Sequence, residues 1–282
     1  MAYRTLLVHV DGSAHAAARI AFAMRLARSC GAHLRGAAPT GISRHLYQRL
    51  TPEQDDPTLA LHLDMMRDQA RTALAAFVSQ CEAAGFADFE ARLIDDDPAD
   101  GICLHARAAD MAIVGQSDPE RPALADLAAH VITHSGRPVL VLPAAPHGSC
   151  GRIMVAWEGG REAARALQLA LPLLRQAQQV RIVLFELAGN PQASADAMIA
   201  DPRPWLQRHG IEAQLTVQPL EHHRLLSRKN EVGEGLLALA AADKADVLVM
   251  GAYGHSRFRE AVLGGVTRTV LEAAMLPVLM VH

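Results

Sequence analysis

The chain has 282 residues, half of them hydrophobic and a fifth charged, with a formal net charge of −3. That size and apolar share support about two cored domains and exclude a disordered chain. The slight negative charge argues against a protein that coats nucleic acid. The longest unbroken apolar stretches, such as Gly235–Ala242, fall far short of the roughly 18 residues a membrane span needs. Met1-Ala2-Tyr3-Arg4-Thr5 runs straight into a strand-like segment, without the basic region and apolar core of a secretory signal, so the expected location is cytoplasmic. Cys30, Cys81, Cys103 and Cys150 are scattered and form no C-x-x-C pair, the pattern of reduced thiols rather than of disulfides or zinc.

Short β-rich runs alternate with helical stretches along the chain. The first half is expected to carry strands near 4–10, 32–38, 88–94, 110–114 and 138–142. A long helix over Thr58–Ala84, with Leu, Met and Ala at helical spacing, lies between the second and third of them; its Met65-Met66 pair reads as core or interface packing. In the second half strands are expected near 152–157, 180–187, 211–217, 245–250 and 277–281. Several are continuous apolar runs, such as Val247-Leu-Val-Met250, which suits strands buried on both faces. The β-α-β-α order implies a parallel sheet with right-handed crossovers. The fold class is α/β, as two doubly wound domains of five strands each.

The halves repeat one another. Arg4-Thr-Leu-Leu-Val-His-Val-Asp-Gly-Ser13 and Gly151-Arg-Ile-Met-Val-Ala-Trp-Glu-Gly-Gly160 are each an apolar run, an acidic residue and a glycine. Val8 matches Val155, Asp11 matches Glu158, Gly12 matches Gly159, and Ala16-Ala17 match Ala163-Ala164 in the alanine-rich helix that follows. Ala109–Gly115 pairs with Ala245–Gly251, and Arg137-Pro138-Val-Leu-Val-Leu142 pairs with Leu276-Pro277-Val-Leu-Met-Val281. The linker Pro143-Ala-Ala-Pro-His-Gly-Ser149 separates a first domain, 1–146, from a second, 150–282.

Ligands of such sheets sit at the carboxyl ends of strands, where the strand order reverses. Two segments of the second half fall there: Trp157-Glu158-Gly159-Gly160 after its first strand, and Gly251-Ala-Tyr-Gly254-His255-Ser256-Arg257 after its fourth, which ends at Met250. Gly264-Gly265 then opens the next helix with Val266-Thr267. Glycines let main-chain N–H groups approach phosphate oxygens, and a helix N-terminus adds a favourable dipole. Arg257 and Arg259 add positive charge, and Ser256 and Thr267 add hydroxyls. Turn and helix-cap roles are the plainer explanation for any one of these glycines; four around a single connection point to anion binding.

The spacing Gly251-x2-Gly254-x9-Gly264 resembles the ATP-binding signature of the universal stress protein family, and the likeness extends over both halves of the chain. The resemblance implies a Rossmann-like, adenine nucleotide alpha hydrolase-like fold in tandem. It implies adenosine contact at Glu158, where members usually carry Asp, and an adenine pocket lined near Leu187, with Trp157 either walling the base or packing. It implies phosphates held through Gly251, Gly254, His255, Gly264, Gly265, Val266 and Thr267, with Gly265 standing where Ser or Thr is common. Its ligand would be ATP, with or without Mg2+, with AMP, ADP or a cyclic nucleotide as alternatives. The terminal strands of the two halves, Val139–Leu142 and Val278–Val281, would meet in an intramolecular pseudo-dimer, with a homodimer as a further option.

The first half looks like a worn copy. Gly115 survives, but the next glycine position holds Asp118, and the positions of Gly264, Gly265 and Thr267 hold Ala125, Asp126 and Ala128. Carboxylates beside a triphosphate would repel it, so the first domain is expected not to bind ATP through this loop. Asp11-Gly12-Ser13 stays intact.

Other signals carry less. Gly233-Glu-Gly235-Leu-Leu-Ala238 matches G-x-G-x-x-A but follows a polar segment, not a strand, and reads as a helix start. There is no G-x-x-x-x-G-K-[ST] and no G-x-S-x-G, which excludes a P-loop enzyme and an α/β-hydrolase. His130 and His134 have metal spacing without a third ligand, and His222-His223 reads as solvated. Asp95-Asp96-Asp97 before Pro98 reads as a helix cap. The leading expectation is a stress-response sensor or regulator whose second domain binds ATP and orders its Ala252–Leu263 loop on doing so. The alternatives are a slow ATPase or autophosphorylating enzyme, with Ser256 or Thr267 as acceptor, and a nucleotide-free interaction scaffold.

Overall fold

The structure, a computed structural model, describes residues 2–44, 57–118, 124–147, 149–187, 200–220, 228–254 and 265–282. The chain divides by its contacts into two compact units, Ala2–Val139 and Leu140–His282.

In the first unit, β1 (Thr5–His9) leads to α1 (Ala16–Cys30), β2 (His33–Pro39), α2 (Pro57–Ala83), β3 (Phe89–Ile94), α3 (Pro98–Ala106), β4 (Met111–Gly115) and α4 (Leu127–His134). β1 pairs in parallel with β2 on one side and with β4 on the other, and β2 pairs in parallel with β3. The strand order is therefore β3-β2-β1-β4, and its direction of travel reverses at β1. Leu6, Leu7 and Val8 of β1 and Met111–Val114 of β4 are buried, as the unbroken apolar runs require of central strands covered on both faces. Gly36 of β2 has a packing reason: a side-chain carbon there would stand 2.5 Å from Phe77 of α2. Phe77, itself fully buried, meets Phe89 of β3 edge to face at 5.6 Å, which fixes α2 on the sheet.

The end of β5 (Val139–Leu142) belongs to the second unit, where Leu140–Leu142 neighbour β10. There follow β6 (Arg152–Ala156), α5 (Arg161–Leu169), α6 (Leu171–Leu174), β7 (Gln179–Leu187), α7 (Arg203–Arg208), β8 (Ala213–Leu220), α8 (Arg228–Ala242), β9 (Val247–Gly251), α9 (Gly265–Ala273) and β10 (Val278–Val281). β6 pairs in parallel with β7 and β9, β9 with β10, and β7 with β8. The order β10-β9-β6-β7-β8 repeats the plan of the first unit, with the reversal at β6. Pro172, one residue into α6, has no N–H to continue the ladder of α5, and the helix breaks there. The ten strands lie where the apolar runs place them, so the α/β, doubly wound reading of the sequence holds.

The lesser motifs resolve into packing. Gly233 lies in α8, and a side-chain carbon on it would stand 2.8 Å from Thr269 of α9; one on Gly235 would stand 3.2 Å from Phe185 of β7. The G-x-G-x-x-A match thus marks helix contact surfaces. Asp97 caps α3, accepting from the Ala99 N–H at 2.9 Å, with Pro98 in the first turn. Its neighbours turn to arginines: Asp96 to Arg44 at 2.9 Å and Asp95 to Arg67 at 3.5 Å. His130 and His134 stack at 4.2 Å, with His130 Nε2 3.4 Å from Asp100. Met66 reaches Gly41, but Met65 is 53% exposed, which removes the core half of its core-or-interface reading: side chains adjacent on a helix diverge by about 100°. His222 and His223 lie outside the described residues.

Candidate functional site

In the second unit the strand order reverses at β6, so the crevice of interest lies beyond the carboxyl ends of β6 and β9. β6 runs out through Trp157, which is buried and whose N–H donates to the Val183 carbonyl at 2.9 Å. Glu158 and Gly159 follow on the surface, Gly159 with φ of 74°. Gly160 then caps α5, and Glu162 in its first turn is buried.

β9 ends against that turn. A side-chain carbon on Gly251 would stand 2.6 Å from the Ala163 nitrogen and 2.7 Å from the Glu162 carbonyl carbon. Both are backbone atoms that cannot step aside, so this glycine is what lets α5 press on the end of β9. A side-chain carbon on Gly254 would stand 3.0 Å from Glu158 Oε1 and 3.1 Å from Glu162 Oε2. Both carboxylates therefore turn toward one point on the main chain. Glu158 is exposed as a residue, but its carboxyl turns in over Gly160 and Gly254, and desolvation there raises it above the ordinary range, with the like charge of Glu162 adding to the effect. Burial pushes Glu162 the same way. The Arg161 guanidinium bonded to its Oε1, its own backbone N–H and the more distant His282 outweigh that push and hold it below the ordinary range. Of the two, Glu158 is the carboxylate whose charge is poorly supported.

Between Gly251 and Gly254 the chain is tied down. The Ala252 N–H donates to the Val281 carbonyl at 2.8 Å, and His282 Nδ1 donates to the Ala252 carbonyl at 3.1 Å. Tyr253 has φ of 53°, uncommon for a residue with a side chain. Its N–H donates to Thr267 Oγ1 at 3.2 Å, and its ring meets His282 edge to face at 6.2 Å. Thr267 is buried in the first turn of α9, so the end of β9 and the start of α9 are bonded to each other. The first-turn N–H groups of a helix have no intrahelical acceptor, and Gly265 and Val266 stand in that turn of α9.

The corresponding crevice of the first unit, beyond β1 and β4, is filled. Arg19 of α1 is 4% exposed. Its Nε donates to the His9 carbonyl at 2.8 Å and its Nη2 to Asp11 Oδ1 at 2.8 Å. The same carboxylate oxygen accepts from the Ser13 N–H at 3.0 Å and the Ser13 hydroxyl at 2.6 Å. Burial alone would raise the Asp11 carboxyl; Arg19, with His9 at 3.7 Å and Ser13, drives it far below the usual carboxylate range instead. The guanidinium also lies over the end of β4: a side-chain carbon on Gly115 would stand 2.6 Å from Arg19 Nη1. The position of Arg19 in the repeat holds Ala166 in the second unit, a buried residue too short to reach Gly251 in this way.

Of the residues singled out from the sequence, the structure brings Glu158, Gly251 and Gly254 together, with Thr267 joined through Tyr253. Trp157 and Met250 are buried at the ends of their strands, and Gly159 turns the chain between β6 and α5. Leu187 closes β7 opposite Leu220; only its backbone is described. His255, Ser256, Arg257 and Gly264, and most of the Ala252–Leu263 segment expected to order on binding, lie outside the described residues. Sequence reasoning missed Arg19 and Glu162. The signal available was the repeat itself, which sets Arg19 against Ala166 and Glu162 against His15.

Comparison with known proteins agrees with this architecture. The model of the universal stress protein family matches residues 2–143 and again 150–282. Comparison with curated proteins finds no significant match. Among solved structures, a universal stress protein from Archaeoglobus fulgidus is 17% identical, with 98% of this chain and 97% of that chain covered at a TM-score of 0.68. A functionally unknown protein from Pseudomonas aeruginosa is 14% identical, covering 99% of this chain and 92% of its own at 0.59. A shorter universal stress protein from Archaeoglobus fulgidus, solved in complex with dAMP, is 21% identical over 50% of this chain and 98% of its own, at 0.35. The full-length likenesses are likenesses of fold. Among the described residues no helix is long and apolar enough to cross a membrane.

Proposed function

The chain belongs to the universal stress protein family, and from that premise we propose that its second unit binds an adenine nucleotide, ATP in the first instance, in the service of a stress-response sensor or regulator. The contrast between the two crevices carries the reading. In the first unit a buried guanidinium occupies the space over the end of β4, while in the second the same helix position is Ala166. There the α5 main chain rests directly on Gly251, and the groups beside it are the glycine main chain at Gly254, the start of α9 and one poorly supported carboxylate.

These groups fit a nucleotide. The main chain at Gly254 and the first-turn N–H groups of Gly265 and Val266 are donors suited to phosphate oxygens. The Thr267 hydroxyl accepts from Tyr253 and retains a proton to donate. Glu158 is an acceptor suited to sugar hydroxyls. The reading also assigns His255, Ser256, Arg257 and Gly264 to the phosphates, and the end of β7 near Leu187 to the base. The bound nucleotide supplies charge and shape, and the protein's part is to hold it and present the result to a partner. The tandem family match supports the two domains working as one intramolecular pair, and the scattered thiols support a cytoplasmic setting.

Titration of the full chain with ATP and Mg2+ tests the reading. The expected result is one equivalent per chain, lost in Gly254→Asp and in Ala166→Arg, which transplants the first unit's guanidinium. Two equivalents per chain, or one equivalent that survives both substitutions, would overturn it.

A further inference from the structure

The crevice assigned above to a nucleotide is floored by acid. Glu158 Oε1 and Glu162 Oε2 lie 3.0 and 3.1 Å from the same point, the place a side-chain carbon on Gly254 would occupy. The two residues flank the start of α5, Glu158 before its cap Gly160 and Glu162 in its first turn. Glu162 cannot swing away when a ligand arrives: its side chain is 5% exposed, and Arg161 holds its other oxygen. Glu158 forms no ion pair among the described residues, whereas its counterpart Asp11 is matched by Arg19.

A phosphate brought to the Gly254 main chain therefore meets Glu158, which forms no ion pair among the described residues, and Glu162, whose charge Arg161 offsets in part. A bare triphosphate carries up to four charges, a monophosphate two and adenosine none. At about 5 Å and an effective dielectric near 20, each added like-charge contact weakens binding by roughly tenfold to a hundredfold.

We propose that Glu158 and Glu162 make the second unit's crevice selective for adenine ligands of low charge, so that without divalent cation it takes adenosine monophosphate in preference to the bare triphosphate. This rests on the nucleotide reading and adds the charge class of the ligand to it. The triphosphate competes once a divalent cation masks its charge. Position alone does not produce the effect: an isosteric amide at either residue keeps the shape and removes the repulsion.

The test is equilibrium titration of the full chain with adenosine, adenosine monophosphate and ATP, first in EDTA and then with Mg2+. It is made on the unaltered protein, Glu158→Gln and Glu162→Gln, each checked for a cooperative melting transition. In EDTA the monophosphate is expected to bind at least tenfold tighter than ATP, and each amide variant to narrow that ratio by about tenfold. Mg2+ narrows it in the unaltered protein. ATP binding as tightly as the monophosphate in EDTA, or a ratio that neither variant moves, overturns charge selection and leaves the nucleotide reading standing. Failure of all three ligands to bind removes the nucleotide reading, and this inference with it. Should Glu162→Gln fail to fold, Glu158→Gln, at a surface position, decides alone.

Discussion

Arg19→Ala gives the first unit the residue that the second already carries. It removes the guanidinium from the Asp11 carboxylate and from the His9 carbonyl, both 2.8 Å away. The pair is well buried, with side chains 5% and 12% exposed, so the loss leaves an enclosed charge without its partner. Breaking a buried pair on one side costs roughly 3–5 kcal/mol. The two bonds from Ser13 to Asp11 survive and place the expected cost at the lower end, about 3 kcal/mol. Both tryptophans, Trp157 and Trp205, lie in the second unit and do not report on this change. Amide hydrogen exchange of Leu6–Val8 in β1 does.

The pH dependence supplies a second, independent check. The folded Asp11 carboxyl titrates far below its unfolded value of 3.8. Its contribution is therefore present in full above about pH 4 and is lost as pH falls toward the folded value. In Arg19→Ala that contribution is gone at neutral pH, so the gap between variant and unaltered protein narrows on acidification below about pH 4. Adding Asp11→Asn to Arg19→Ala removes the stranded charge and recovers part of the loss, with a coupling of about 1–3 kcal/mol in the double-mutant cycle. A cost under about 1 kcal/mol, a gap that does not narrow in acid, or additive single losses would refute the reasoning.

Gly36→Ala is expected to destabilise the first unit by about 1–3 kcal/mol, because its methyl would meet the enclosed Phe77 ring at 2.5 Å; a thermal melt followed by far-ultraviolet dichroism measures it. Glu158→Gln is expected to stabilise the second unit at pH 7. Its carboxyl is raised in the fold, so the folded state loses stability as pH climbs through the carboxylate range, and the amide does not. Urea unfolding followed by tryptophan fluorescence should show the advantage at pH 7 and its disappearance below about pH 4.

Much of this architecture is legible in the sequence because buried parallel strands are written as unbroken apolar runs. Val247–Gly251 and Val139–Leu142 could be placed within a residue or two on that ground alone. β8 was harder: it is expected near 211–217 and runs Ala213–Leu220, its far end mixing Gln218 and Pro219 on an outer strand where the apolar rule relaxes. Of the candidate site, the meeting of Glu158 with Gly254, and Gly251 at the end of β9, was legible from the motif spacing. Arg19 was not, because an arginine in an alanine-rich helix reads as a solvated face until the fold lays that face over the ends of β1 and β4. Glu162 stayed hidden for the same reason: a glutamate in a first turn has an ordinary dipole role, and only the close approach at Gly251 encloses it.

The filled hollow of the first unit has an evolutionary consequence. Asp11 and Arg19 neutralise one another with little access to water, so neither can drift alone without stranding its mate. Among descendants of this duplication the two positions should change in concert, while Glu158 and Ala166, which share no such bond, are free to wander apart.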